Sequence, residues 1–185
     1  MNNHLLQMKR RMEKARTRYG KPDRSCAGNG FKCAHCHGYV TLESCLSGVL
    51  NRNHCPYCLW SRHLDLYAAG DRLSACKSPM QPIGLTIKTA RKKYGRADGE
   101  LMLIHRCEEC HAHSINRIAA DDDPRSVFAA FEASFQTGRI LHDSLESGGI
   151  HLLGETDAPL VRRQLFGNET DPAEMLFPDR ILETV

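Results

Sequence analysis

The sequence predicts an α+β fold in which a small β-rich core, built around cysteine pairs, is flanked by helices at both ends. Three Cys-x-x-Cys pairs lie among short segments of alternating apolar and polar residues, and alternation with period two is typical of strands. Apolar residues recur every three or four positions on either side of this region, which predicts amphipathic helices. We therefore divide the 185 residues into a basic helix at 1–24, a cysteine-rich domain at 31–123 and an acidic helical extension at 124–185.

The predicted first helix combines an apolar stripe with a strong positive charge. Leu5, Met8 and Met12 lie three and four residues apart, and Gly20 predicts the end of the helix. Eight Lys and Arg residues accompany only two acidic residues in this segment. Such a helix packs its apolar stripe on the rest of the fold. Its charged sides then either face solvent or contact phosphate groups. Its candidate nucleic-acid contacts are Lys9, Arg10, Arg11, Lys14, Arg16 and Arg18.

Two strands joined by a hairpin turn are predicted within the cysteine-rich domain. Residues 83–88 alternate in polarity, and residues 101–106, which run into the third cysteine pair, are predicted as the second strand. The Asp-Gly pair between them supplies the positive φ that tight turns need. A second positive cluster lies at this turn, with a tyrosine that could stack on an unpaired base. Its members are Lys88, Arg91, Lys92, Lys93, Tyr94 and Arg96.

The acidic extension is predicted to begin with a capped helix. Asp123 suits the N-cap and Pro124 the first turn, and a second helix is expected at 160–166, with a loop at 139–158. The carboxylates at 121–123 are favoured at a helix start by the helix dipole. The alternative is a Mg²⁺ site that, with His111 or His113, would suggest a nuclease.

The first two cysteine pairs predict a metal site of four thiolates. Cys33 and Cys36 are followed, eighteen residues later, by Cys55 and Cys58, which is the spacing of a zinc ribbon. Each pair occupies a tight turn, and two such turns face to face form a tetrahedron of sulfur atoms. Because four protein ligands leave no position for a reacting water, this site is expected to be structural.

A second site is predicted around the third pair. Cys107 and Cys110 need two more ligands, and Cys76 is the unpaired cysteine nearest to them among turn residues. The fourth ligand would be a histidine, either His63 or His105, with His63 slightly favoured because His105 shares a strand with Cys107. The alternative is that Cys76 is a small buried apolar residue.

Two zinc ions are thus the expected cofactors, although spacing alone does not distinguish zinc from iron. Two of the pairs are followed by histidine, as in the covalent haem signature, but that chemistry requires export and leaves Cys55 and Cys58 without a role. Cys26 and Cys45 are expected to be buried or idle thiols, and no Cys–His catalytic pair is indicated.

The stretch from Arg52 to Ser61, which begins Arg-Asn-His-Cys-Pro, resembles the signature of the RNHCP domain family. Further matches are His63 and Asp65, 70–72, Cys76, 80–83, His105 to Cys110 and 116–122. The resemblance covers roughly residues 31–123 and implies a small cysteine-rich domain that binds zinc. It gives little enzymatic function to carry over to this chain, and it does not extend to the segments at either end.

The charge distribution favours a polyanionic partner. Residues 1–120 contain 20 Lys and Arg against 9 Asp and Glu, whereas residues 121–185 contain 5 against 13. A stiff metal-bound scaffold carrying cationic loops is suited to RNA or the ribosome. The alternatives are a protein–protein adaptor, with the acidic tail as one contact, and a metal-dependent hydrolase. The absence of a long apolar stretch predicts no membrane contact and a cytoplasmic location.

Overall fold

A computed structural model describes residues 30–89 and 99–167. The basic helix predicted at 1–24, the cationic cluster at 91–96 and Cys26 lie outside these residues.

The first unit is a small two-stranded sheet. Strands β1 (Gly30–Lys32) and β2 (Tyr39–Thr41) pair antiparallel with Lys32 opposite Tyr39. A short helix, α1 (Ser44–Ser47), follows and ends at Gly48 in the left-handed conformation. The apolar interior of this unit is small and consists of Cys33, Val40 and Cys55 with two partly buried neighbours, so cysteine side chains provide much of it.

The second unit is a four-stranded antiparallel sheet in the order β3-β4-β5-β6. Its strands are β3 (Ser61–Arg62), β4 (Pro79–Lys88), β5 (Glu100–Cys107) and β6 (His113–Arg117). The two predicted strands correspond to β4 and β5, which extend beyond the predicted limits, while β3 and β6 were not predicted. The sheets and the helices confirm the predicted α+β class with a cysteine-knuckle core.

An irregularity in β4 allows the C-terminal segment to approach the sheet closely. The pairing of β4 with β5 shifts between Pro82 and Gly84, and Gly84 has a φ of 147°. A Cβ atom at this position would lie 2.6 Å from Leu152 Cδ1 and 2.9 Å from Ser134 Cβ. The bulge therefore requires glycine, both for its backbone conformation and for the contact.

Helices α2 (Pro124–Ala133), α3 (Arg139–Ser147) and α4 (Ala158–Phe166) follow the sheet, with 3₁₀ turns at Ser134–Gln136 and Glu155–Asp157. Val127 and Phe131 of α2 pack with Leu85 and Leu103 of the sheet in the main hydrophobic core. Asp123 caps α2 by accepting hydrogen bonds from the amides of two residues in its first turn. The capped helix start is therefore confirmed.

The prediction of a loop at 139–158 is wrong, because this segment contains α3 and a 3₁₀ turn. Leu145 is fully buried and packs with Ile104 of β5, together with Leu141 one turn earlier in the helix. Ile140, on another side of the helix, is 89% exposed. The apolar side of α3 consists of only these two leucines. Packing against the sheet therefore supplies the stability that the sequence of the helix does not provide. The helix expected at 160–166 begins two residues earlier, at Ala158.

Within the described ranges, no helix is both long and apolar enough to cross a membrane.

Candidate metal centres

The structure brings the first four predicted ligands together in what we call site 1. Cys33, Cys36, Cys55 and Cys58 each contribute one sulfur, and all four sulfurs lie within 4.8 Å of one another. Two of the pairs that join one turn to the other, Cys33–Cys58 and Cys36–Cys55, are 3.6 Å apart between sulfurs. Two facing knuckles therefore form site 1, as the spacing predicts.

All three Cys-x-x-Cys pairs share one backbone design. The amide of the first cysteine donates to the carbonyl five residues later at 2.9 Å, in Cys33, Cys55 and Cys107 alike. The residue after the second cysteine has a positive φ, which is 62° in His37, 62° in Leu59 and 58° in His111. The second pair thus shares this backbone design although it is followed by Leu59 instead of histidine, and Leu59 is buried in the main core.

The second cluster, site 2, gathers its ligands from three separate parts of the chain. His63, Cys76, Cys107 and Cys110 each place one ligand atom within 4.8 Å of the others. Cys76 lies 3.6 Å from Cys107 between sulfurs, and the Cys110 sulfur lies 3.2 Å from His63 Nδ1. Continued pairing beyond β3 aligns the first two ligands, because the amide of His63 donates to the carbonyl of Ser78 at 2.9 Å.

The structure distinguishes between the two histidines proposed for site 2. His63 lies with the three cysteines, whereas both ring nitrogens of His105 have other partners. Its Nε2 lies 2.7 Å from the carbonyl of Leu59, and its Nδ1 lies 2.9 Å from the side-chain amide of Asn116. Burial, and then the nearby His54, lower the pKa of His105 to about 3. His105 is therefore a neutral buried histidine that joins β5 to the second knuckle.

The geometry of both clusters fits a tetrahedral zinc ion. With Zn–S bonds near 2.3 Å, the edge between two sulfurs of a tetrahedron is about 3.8 Å, close to the 3.6 Å found here. A disulfide would require about 2.05 Å between sulfurs, and all eight cysteines in the described ranges are free. The two clusters thus fit two zinc ions, one held by four thiols and the other by three thiols and an imidazole.

The thiols within each cluster differ in acidity. Burial opposes ionisation of Cys33, but hydrogen bonds from amides and thiols around its own site outweigh it and lower the pKa to about 7. In site 2, the amide and hydroxyl of Ser78 and the ring of His63 lower the pKa of Cys76 to about 6. The thiols whose pKa is raised, with burial as the largest cause, are Cys55, Cys58 and Cys107. A divalent cation offsets this burial cost by holding the thiols as thiolates.

The domain that carries these clusters is recognisable by comparison. The sequence model of the RNHCP domain matches residues 28–128, which is more than half of the chain. The chain belongs to the RNHCP domain family. No curated protein and no solved structure matches it. Family membership and the two cysteine clusters together indicate a metal-binding domain.

The Arg-Asn-His-Cys-Pro stretch of the RNHCP domain ties site 1 to the segment before α2. Arg52 is 2% exposed and donates to Asp121 at 2.6 Å, to Asp122 at 3.0 Å and to the carbonyl of His54 at 3.1 Å. His54 Nε2 lies 2.7 Å from the other carboxylate oxygen of Asp122, which also accepts from the amide of Ala119. Two residues of the motif, Arg52 and His54, therefore hold the same buried carboxylate.

The asparagine of the motif orders the loop that leads to site 2. Asn53 donates to Asp65 at 2.9 Å and accepts from Arg72. The Asp65 carboxylate also accepts from the amides of Gly70 and Arg72, at 2.8 and 3.0 Å. Because this loop connects His63 to Cys76, the motif positions ligands of both metal sites.

The three carboxylates at 121–123 thus have structural partners. Asp121 and Asp122 bind Arg52, and Asp123 caps α2. Within the described ranges, none of them belongs to a group of metal ligands. The helix-start interpretation holds for Asp123, but it missed the pairing of the other two carboxylates with the buried Arg52. The one sequence signal for this pairing was the opposite charge of Arg52 and the two neighbouring carboxylates Asp121 and Asp122.

Several residues near the knuckles lie outside the two sets of ligands and have contacts of their own. Trp60 stacks on His35 with ring centroids 4.2 Å apart and planes at 7°, so it covers the first knuckle. Asn116 contacts His105, and Arg117 forms a salt bridge with Glu100. Cys45 is exposed and belongs to neither cluster.

Proposed function

We propose that this RNHCP protein is a non-catalytic zinc-bound module that binds RNA through cationic segments carried on its rigid core. The observation that carries the proposal is the β4–β5 hairpin, which is fixed at one end by site 2. Met80 pairs with Cys107 at that end, and Lys88 pairs with Glu100 at the other. Eight paired residues at about 3.3 Å each span roughly 25 Å.

The chain between the distal ends of these strands is the most cationic part of the domain. It contains Arg91, Lys92, Lys93 and Arg96, with Tyr94 among them, and the only acidic residue between Lys88 and Glu100 is Asp98. RNA binding relies on phosphate contacts and on stacking of unpaired bases. A hairpin stiffened by metal at its base therefore suits this cluster for contact with RNA.

The composition of the two clusters argues against catalysis at the metal. Each one offers four protein ligands, and a metal ion with four protein ligands has no open position for water or substrate. The zinc ions would then stabilise the scaffold, and the work of the protein would be binding. The size and charge of the chain favour ribosomal or ribosome-associated RNA as the target.

Fluorescence anisotropy with a labelled single-stranded RNA at several salt concentrations tests the proposal. If about six phosphates are contacted, log K falls with log salt at a slope near −4. Replacing Lys92 and Lys93 by Gln should reduce the magnitude of this slope by about 1.4. The matched control replaces Arg125 and Arg139, two exposed cations of the helices, by Gln. It should leave the salt slope equal to that of the unmodified chain. Absence of binding at low salt, or equal slopes for both double variants, would contradict the proposal.

Exposed leucines around α1 favour a second candidate function, that of a protein adaptor. Leu46 and Leu50 are 55% and 79% exposed, and Leu42 is 39% exposed. Apolar side chains clustered at a surface are typical of protein contacts. An adaptor would retain its partner at high salt, whereas bound RNA would be released, so a salt wash during purification separates the two functions.

A further inference from the structure

A cleft of about 260 Å³ lies beside site 1 and is not used by either metal. The β1 strand and the first knuckle form one wall, and β3 with the start of β4 forms the other. Its apolar lining residues include Phe31, Leu42, Trp60, Leu64 and Pro79. The volume lies just below the roughly 300–1,000 Å³ of pockets for drug-sized ligands, so the cleft suits one small planar group.

The charges around the cleft have a single sign. Its lining includes Lys32, Arg52, Arg62 and Arg72 and contains no carboxylate. Arg52 is buried against Asp121 and Asp122, and Arg72 binds Asn53. These two cations are therefore occupied within the protein.

Lys32 and Arg62 are the cations available to a ligand. Both are exposed, and neither forms a salt bridge with any residue in the described ranges. Lys32 lies on β1 and Arg62 on β3, so the cleft has one cation on each wall. This arrangement complements an anionic group at the mouth of an apolar cleft.

The aromatic lining provides a stacking surface. Trp60 and His35 both line the cleft and are parallel to each other. Trp60 is half-buried and His35 exposed, so a planar ligand can extend the stack. Every base has a π-face, and stacking on aromatic residues tolerates any sequence.

The polar side chains of the lining are already engaged. Ser61 donates to the carbonyl of Asn53 at 3.1 Å, and the Asn53 amide is held by Asp65 and Arg72. Few groups remain to read the edge of a base, so the cleft favours shape and stacking over sequence.

We propose that the cleft beside site 1 holds one unpaired base of single-stranded RNA, stacked on the Trp60–His35 pair, with the adjacent phosphates bound by Lys32 and Arg62. This inference rests on the proposed RNA-binding function and assigns a contact surface to it. It also predicts little preference for the identity of the base.

The intrinsic fluorescence of Trp60 gives a direct readout, because it is the only tryptophan of the chain. Titration of the zinc-loaded full chain with unlabelled oligouridine and oligoadenosine should quench this emission. Anisotropy of labelled versions reports total binding in parallel. Quenching by both sequences with similar affinity is the expected result.

Three variants test the contacts. Trp60→Leu should weaken binding about tenfold, and Trp60→Phe should restore most of the loss, because base–aromatic stacking contributes on that scale. The Lys32→Gln/Arg62→Gln double variant should reduce the magnitude of the salt slope by about 1.4. The Arg125→Gln/Arg139→Gln control removes the same charge elsewhere and should match the unmodified chain. Zinc content verifies that each variant is folded.

The outcomes separate the two proposals. RNA binding with quenching, weakened by the cleft variants, supports both. RNA binding without quenching, with both double variants equal, overturns the cleft assignment and leaves the RNA-binding function in place. Absence of any anisotropy change overturns the function and the cleft assignment together.

Discussion

Sites 1 and 2 use the same knuckle but differ in what surrounds them. The hydrophobic cluster at site 1 contains three of the four metal ligands and only Val40 and Phe31 besides. At site 2, Cys107 ends β5, a strand that is already paired on both sides and packed under the helices.

This difference indicates what each metal does for the fold. The small sheet has strands of three residues and little apolar area, so it depends on the metal for its stability. The large sheet has its own core, and site 2 fastens the loop from His63 to Cys76 onto it. We therefore expect the two-stranded sheet to need the metal of site 1 in order to fold. The four-stranded sheet should fold without the metal of site 2, which only holds the loop from His63 to Cys76 against it.

The sharpest test of this contrast is Cys55→Ser, which removes a fully buried ligand of site 1. Structural zinc contributes on the order of 10 kcal/mol to folding, so we expect the region from β1 to β3 to lose its protection from hydrogen exchange. Metal analysis should find one zinc per chain instead of two. Cys45→Ser, at an exposed cysteine outside both clusters, is the matched control. Unchanged thermal melting of Cys55→Ser would refute the role of site 1.

The corresponding change at site 2, His63→Gln, should also reduce the metal content to one zinc. Its loss of protection should be confined to the loop between His63 and Cys76, because β4–β6 keep their own core. His105→Gln should retain two zinc ions, since His105 is not a ligand. Metal content combined with hydrogen exchange checks both variants. Loss of a zinc ion in His105→Gln but not in His63→Gln would reverse the assignment.

Asp122→Ala tests the connection between site 1 and the helices. The change leaves the buried Arg52 with one acidic partner and removes the carboxylate beside His54. Loss of one partner from a buried charged network costs about 4 kcal/mol. Chemical denaturation should show this loss with both zinc ions retained, and Asp143→Ala, at an exposed position on α3, should have little effect.

The pH dependence of stability should report His105. Its folded pKa of about 3 lies below the ordinary value of 6.5, so the unfolded chain binds a proton that the folded chain does not. The contribution of the neutral His105 to the free energy of unfolding is therefore fully present above pH 6.5. It is lost progressively as the pH is lowered toward the folded pKa. The loss amounts to about 3 kcal/mol by pH 4. His105→Gln should remove this component, and the difference between the two denaturation curves cancels the acid sensitivity of the metal sites.

The smallest predicted effects are those at the positive-φ residues of the first and third knuckles, and the second knuckle provides the contrast. His37→Gly and His111→Gly replace exposed residues with positive φ and should each stabilise the protein by up to about 1 kcal/mol. Leu59→Gly makes the same backbone change but should destabilise it by about 3 kcal/mol, because the Leu59 side chain packs in the main core. Equal thermal shifts in all three variants would show that the knuckles are interchangeable.

Local signals in the sequence were sufficient for site 1. Its four ligands come in two tight turns, and each turn is determined by residues within six positions of its first cysteine. The same locality explains why the Asp123 cap and strands β4 and β5 were predictable from pattern alone.

Site 2 was only partly predictable, because its ligands converge through strand pairing. The cysteine spacing indicates Cys76, Cys107 and Cys110 as ligands but leaves His63 and His105 as alternatives for the fourth. The pairing of His63 with Ser78 and the burial of His105 under Leu59 decide between them. Neither contact has a local sequence signal.

The helices after the sheet likewise combine features that local sequence predicts with features that depend on tertiary contacts. The pattern of α3 is too short and too polar to predict a helix, and it becomes one because Leu141 and Leu145 pack against Ile104. The partnership of Arg52 with Asp121 and Asp122 joins residues about seventy positions apart.

Local patterns in the chain were therefore enough to predict the class of fold, the knuckles and the composition of the metal ligands, because turns and alternation depend on neighbouring residues. The histidine that completes site 2, the charges that pair with the buried Arg52 and the position of the cleft beside site 1 follow from the folded arrangement instead. These features depend on residues brought together by packing, since burial and contact are properties of the folded chain.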